Sequence, residues 1–182
     1  MIGKSRVTDS VPTILITGTV GSGKTSVASE VSDILISTDV PHALLDLDWL
    51  GRVYPGHPDD HHNQRLIVEN LSAIWPNLRR AHARRLVLAR VIEDRSGLDA
   101  YEKAIPGAAI TIVRLKASSE TLKERIQARE EGDLSREWHL ARTIELDLIL
   151  DKSRPEDHLV VNEGKSLNEV AREVLAVVGW HL

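Results

Sequence analysis

Glycines at 18, 21 and 23, with Lys24 and Thr25 directly behind them, complete the spacing G-x-x-x-x-G-K-[ST] from Gly18 to Thr25. Glycines at these places let the backbone turn tightly and aim several N–H groups at one anion. Val20 and Ser22 lie within that turn and Ser26 just beyond it. Lys24 brings a compact positive charge to the β/γ-phosphates of a nucleotide, and the Thr25 hydroxyl stands where Mg²⁺ is ligated as a helix begins. The helix adds its positive N-terminal end to the same target. A glycine-rich turn could merely join two elements, but four specified positions between an apolar run and a helical one point to phosphate binding.

Kinases, GTPases, motor ATPases and nucleotide switches share this loop, so other residues must choose among them. Asp46 and Asp48 close a second apolar run, with Arg52 four residues after Asp48. A phosphoryl acceptor needs its hydroxyl held in line with the γ-phosphate and preferably deprotonated, and a carboxylate does both. Arg125, Arg129, Arg136 and Arg142 flank a break at Gly132. Arginines around a glycine hinge suit a lid that neutralises the transferred phosphoryl and excludes water. Glu130, Glu131 and Glu137 would equally make ordinary surface pairs with them. Arg90 stands inside the apolar run 86–92, where a charge needs a partner or a cleft; the cleft is the expectation, an edge strand with a snorkelling stem the alternative. His57, Asp59, Asp60, His61 and His62 mix two ligand types without strong metal spacing and read as a solvated loop. Trp49, Tyr54 and Trp75 either pack on a substrate ring or fill core.

The elements that must carry these groups alternate along the chain. Residues 13–18 read as a strand buried on both faces, 24–36 as a helix, and 43–48 as a strand whose two aspartates share the face toward the cleft. Residues 49–63 form a Gly/Pro/Asp/His-rich loop, and 64–83 a helix that Pro76 kinks or divides. Strands at 86–92, 109–115 and 158–161 follow, separated by helices at 98–104, from a cap at Ser118 to Gly132, and from Ser135 to 151. Ser166 and Glu169 form a capping box for a last helix, ended by Gly179. This alternation implies a three-layer α/β domain with a mostly parallel sheet, preceded by a mobile tail over residues 1–12.

Composition agrees with one ordinary domain of 182 residues, 42% hydrophobic and 27% charged. With no cysteine there are no disulfides, thiolate metal sites or cysteine nucleophiles. The first 12 residues hold no apolar signal-peptide core and no later run reaches membrane-span length, so a cytoplasmic protein is expected. A net charge of −4 argues against a nucleic-acid partner.

On these residues the chain resembles the P-loop kinase family, in particular its small-molecule branch of adenylyl-sulfate, gluconate and shikimate kinases. Residues 45–52 look like the family's acidic second-strand motif followed by a substrate-binding arginine, here Arg52. Residues 122–129 are similar to the helix leading into its lid, whose last arginine, here Arg129, packs against adenine. Residues 161–166, with Lys165, sit where such kinases approach the adenine edge. The resemblance implies a five-stranded parallel sheet of order 2-3-1-4-5 with a helical lid over about 129–142, and ATP and Mg²⁺ as ligands. The third strand lacks the family's aspartate that backs Mg²⁺, which assigns that place to Asp46, with Asp48, Glu93 and Asp94 as alternatives.

The expectation is an ATP-dependent phosphotransferase acting on a hydroxyl of a small polar metabolite, a monomer or homodimer. Lys24, Arg136 and Arg142 would stabilise the transferred phosphoryl, Asp48 would position or deprotonate the acceptor, and Asp46, Arg52 and Arg90 would help bind it. A nucleoside monophosphate kinase, which needs arginines more than a base, is the nearest rival. A nucleotide-binding regulatory module is the other, although no Asn-Lys-x-Asp guanine signature is present.

Overall fold

The structure, a computed structural model, describes residues 10–129 and 132–181. Five parallel strands, β1 (Val11–Gly18), β2 (His42–Asp46), β3 (Arg85–Ala89), β4 (Ala108–Lys116) and β5 (His158–Val161), lie in the order β2-β3-β1-β4-β5. Seven helices are described: α1 (Lys24–Ser37), α2 (Leu47–Leu50), α3 (Gln64–Arg80), α4 (Leu98–Ala104), α5 (Ser119–Arg129), α6 (Asp133–Ser153) and α7 (Leu167–Val177). This is the P-loop NTPase fold, with the expected strand order.

Strand residues alternate between two apolar layers, as a period of two requires when both faces are covered. Ile14 and Ile16 of β1, Val87 and Ala89 of β3 and Val113 and Leu115 of β4 pack with α1 and α7. Leu15, Leu86, Leu88 and Ile112 face the other way, onto α3 and α4. β1 is therefore central, between β3 and β4, and the chain winds away from it in both directions. Ligands of such sheets bind beyond the carboxyl ends of the strands at that switch point, which is where β1 runs into the glycine turn.

Several boundaries differ from expectation. Val11 and Pro12 belong to β1 rather than to a tail, because Val11 is buried and its N–H donates to the Gly107 carbonyl at 2.8 Å. Pro12 is tolerated because it pairs with β4 alone, pairing with β3 starting only at Thr13. Residues 1–9 of the expected tail, and Glu130 and Glu131 beside the expected hinge, lie outside the described residues. α3 runs unbroken through Pro76 and stops at Arg80, where His82 turns into the left-handed region at φ 72°. α6 opens at Asp133 behind an extended Gly132, two residues before Ser135. The capping box of Ser166 and Glu169 is formed at the start of α7. Trp75 is core, while Trp49 and Tyr54 are exposed. No helix among the described residues is long and apolar enough to cross a membrane.

Candidate active site

Gly18, Gly21 and Gly23 all take positive φ, at 145°, 79° and 89°. Gly18 could not be replaced: a Cβ there would stand 2.6 Å from both the Leu115 carbonyl oxygen and Ser22 Oγ. At Gly23 a Cβ would meet Asn162 Nδ2 at 2.6 Å. Gly23 also provides the N-terminal boundary of α1 without any side-chain cap, so the first N–H groups of this helix are left for an anion. Lys24 folds over the turn, its Nζ donating to the Thr19 carbonyl at 2.9 Å and the Gly18 carbonyl at 3.2 Å.

Beside the turn lies a cavity of about 440 Å³. Lys24, Thr25 and Arg129 line one side, and Asp48, Arg90 and Arg142 are also in its wall. Asp46 and Asp48 reach this region by a route other than the expected one. β2 ends at Asp46, and the next residues coil into α2, so the two carboxylates do not alternate along a strand. Asp46 accepts the Asp48 N–H at 3.0 Å on Oδ1 and the Thr25 hydroxyl at 2.7 Å on Oδ2. Buried Leu47 anchors the turn that swings Asp48 over the cavity. Strand geometry fails here because a carboxylate two residues before an N–H caps a helical turn well.

Arg90 follows the end of β3, a central strand, and its guanidinium stands 3.6 Å from Asp48 and 3.4 Å from the His62 carbonyl. Being enclosed pushes the Asp48 carboxyl above its ordinary 3.8, although Arg90 and then Lys24 pull it down. Enclosure also pushes the Lys24 ammonium down from 10.5 to about 8, against the pull of Asp48 and Asp46 and with help from Arg129.

That depressed lysine has a measurable consequence. Phosphate oxygens beside it would raise its pKa again, so near pH 8 the complex holds more protons than the free protein. ATP binding at about pH 8.5 is therefore expected to take up protons, and affinity to fall as pH rises through about 8. Calorimetry in buffers of different ionisation enthalpy reads the uptake, which Lys24→Met should abolish. Equal heats in all buffers would contradict the assignment.

Other residues proposed from sequence have different surroundings. Arg52 is exposed and lies 4.7 Å over the Trp49 ring, outside the cavity wall. Arg136 pairs with Asp133 at 2.8 Å, and Lys165 with Glu173 at 2.5 Å, neither of them lining the cavity. Ser26 is exposed and does not line it, Val20 does, and Ser22 is buried with its Oγ unpartnered. Arg142 bonds Glu93 and, at 2.7 Å, Glu145. Asp94 accepts from the Ser96 N–H at 2.8 Å and is not in the wall. Among the described residues no group of three or more His, Asp or Glu could hold a metal. Thr25 and Asp46 together present the hard oxygens that Mg²⁺ prefers, and at 2.7 Å they are close enough to share it with phosphate and water.

Residues 14–145 match the family described as the AAA domain. The chain belongs to that family. Solved structures that share the fold of this AAA domain include a gluconokinase from Sinorhizobium meliloti 1021, with 22% identity and a TM-score of 0.62 over 93% of this chain and 92% of that one. A tunicamycin resistance protein from Deinococcus radiodurans matches with 21% identity and a TM-score of 0.65 over 93% and 96%. A shikimate kinase from Bacteroides thetaiotaomicron matches with 12% identity and a TM-score of 0.60 over 92% and 98%. No curated protein matches the sequence.

The bracing of this AAA domain's phosphate loop was not foreseen. Asn162, at the end of β5, is buried, and its Nδ2 donates to the Ser22 carbonyl at 2.7 Å. Arg125, expected in the lid, instead donates to the Asn162 carbonyl at 2.9 Å and the Gly21 carbonyl at 3.5 Å. Thr143 of α6 bonds the Val20 carbonyl at 3.2 Å. Glu163 accepts from the Ser118 hydroxyl at 2.6 Å and the Thr121 hydroxyl at 2.5 Å, tying the loop after β5 to the start of α5. Of the other cavity residues, Glu93 was named only as an alternative Mg²⁺ ligand and His62 only as part of a solvated loop, while Trp138 and His139, which come from a separate segment, were missed. Asn162→Ala leaves a buried carbonyl unpaired and should cost about 1–3 kcal/mol, read as a lower urea midpoint at unchanged slope, together with weaker nucleotide binding. Unchanged stability would show that the loop holds itself.

Proposed function

We propose that this chain is an ATP-dependent phosphotransferase that moves the γ-phosphoryl group to a hydroxyl of a small polar metabolite. One observation carries the reading: a carboxylate, Asp48, stands in the wall of the same cavity as Lys24 and Thr25, held by Arg90 and raised in pKa. A phosphate-binding turn that only sensed nucleotide would have no need of a base facing it.

The glycine turn and the N-terminus of α1 receive the triphosphate. Lys24, released from the loop carbonyls, takes the β/γ oxygens. Thr25 and Asp46 would hold Mg²⁺, which when bound offsets negative charge on those oxygens. Asp48 accepts the proton of the acceptor hydroxyl as its oxygen bonds to the γ-phosphorus and the bond to the β,γ-bridging oxygen breaks, leaving ADP and a phosphate ester. A more basic carboxylate takes that proton more readily. Arg90 faces Asp48, and Arg129 and Arg142 line the same cavity. Support also comes from the fold, shared with a gluconokinase and a shikimate kinase.

Incubation of the full chain with ATP, Mg²⁺ and panels of sugars, nucleosides, nucleotides and other alcohols, with product masses read out, tests the proposal. An acceptor heavier by one phosphoryl group is expected. Tight nucleotide binding with no product across the panel would favour a regulatory module instead.

A further inference from the structure

We infer that the acceptor part of the cavity is made for an uncharged, hydroxyl-bearing molecule with an apolar face, not for a sugar acid or a nucleotide; this rests on the phosphotransfer reading above. Charge is the main reason. Besides Lys24 and Arg129, which are close enough for their charges to act on each other, two cations line the wall, Arg90 and Arg142, and each is already matched. Arg90, with only 8% of its side chain exposed, is held by Asp48 at 3.6 Å and the His62 carbonyl at 3.4 Å. Arg142, 16% exposed, bonds Glu93 and Glu145. Two guanidinium groups thus face the carboxylates of Asp48 and Glu93 in the same wall.

An acceptor carrying a carboxylate or phosphate would have to draw one arginine away and leave Asp48 or Glu93, with 62% and 37% of their side chains exposed, beside its own charge. The arginine is the buried member of each pair, so taking its partner away is costly, and repulsion from the carboxylate left behind adds to it. Arg52, expected to help bind the acceptor, is stacked on Trp49 outside the wall. A neutral hydroxyl disturbs none of these pairs and donates directly to Asp48.

Shape and polarity of the remaining wall agree. Ile67 and Leu146 are apolar cavity residues, and Trp138 on α6 presents an indole that is 59% exposed. Such a ring offers a broad surface to the face of a sugar or base at little entropic cost. His62 and His139 are polar residues of the same wall.

Calorimetric binding to the full chain, loaded with Mg²⁺ and a non-hydrolysable ATP analogue, tests this with matched pairs: uridine and UMP, adenosine and AMP, methyl glucoside and glucuronate. In at least one pair the neutral member should bind, and bind at least about tenfold tighter than its anionic counterpart. Glu93→Gln, which frees Arg142 from one of its two carboxylates, should shift that ratio by about tenfold toward the anion. Tighter binding of an anionic member, or no binding of any neutral one, overturns the inference. Product masses with ATP then separate the two claims. A neutral compound bound but never phosphorylated sinks phosphotransfer and keeps the ligand class, whereas phosphorylation of the anionic members alone does the reverse.

Discussion

Lys24→Ala should lower phosphotransfer by about 10²- to 10³-fold, the loss seen when one preorganised donor to developing charge is removed. The ammonium is held at the turn by two carbonyl contacts, to Thr19 at 2.9 Å and Gly18 at 3.2 Å. It therefore stands beside the place where the β/γ-phosphates would lie and has only to leave those two carbonyls. Alanine removes that charge and keeps the glycine backbone, so nucleotide binding should weaken while the fold, checked by circular dichroism and urea unfolding, survives. Lys24→Arg should recover little, because a planar fork does not replace a compact ammonium in a tight turn. Full activity in the alanine variant would remove the phosphate loop from the mechanism.

Asp48→Asn should cost turnover about 10²- to 10⁴-fold, the usual contribution of a positioned general base. The amide keeps the size of the side chain and leaves an oxygen facing Arg90, so ATP affinity should hardly change. The pH profile supplies an independent sign. Because the carboxyl is raised above 3.8 and acts when ionised, wild-type turnover falls as pH drops through that raised value. The asparagine variant should lack this acid limb. A nucleoside monophosphate kinase would behave differently: its acceptor is already an anion, so Asp48→Asn would alter acceptor affinity while kcat and its acid limb stayed in place.

The two variants probe the two ends of what sequence could reveal. Gly18 to Thr25 is legible because its requirements are local: positive φ at three glycines, a helix start, and a lysine and threonine at set places behind them. The layers were legible for a similar reason. Runs such as Leu86 to Ala89 bury alternate side chains on both faces of the sheet, and that periodicity is written in consecutive residues. Helix ends were less so. Gly132 and Asp133 open α6 through backbone conformation that Ser135, the better cap by composition, does not control.

Asp48 shows where local reading runs out. It was chosen on strand alternation, and it lines the cavity for another reason, namely that Asp46 caps a helical turn which carries Asp48 across. Arg125 and Arg129 share a helix, yet one braces loop carbonyls while the other lines the cavity. Nothing in their spacing distinguishes them.

Sequence alone determined the glycine turn, the alternation of strands and helices and the start of α1 directly behind that turn. All of these follow from dihedral freedom and side-chain period over a few neighbouring residues. Tertiary structure decided that Thr25 would meet Asp46, that Asn162 would hold Ser22 from 140 residues away, and that Arg90 would hold Asp48 while Arg52 turned to Trp49. Those pairings depend on the order of strands across the sheet and on which charges become enclosed together, and no short stretch of chain contains that information.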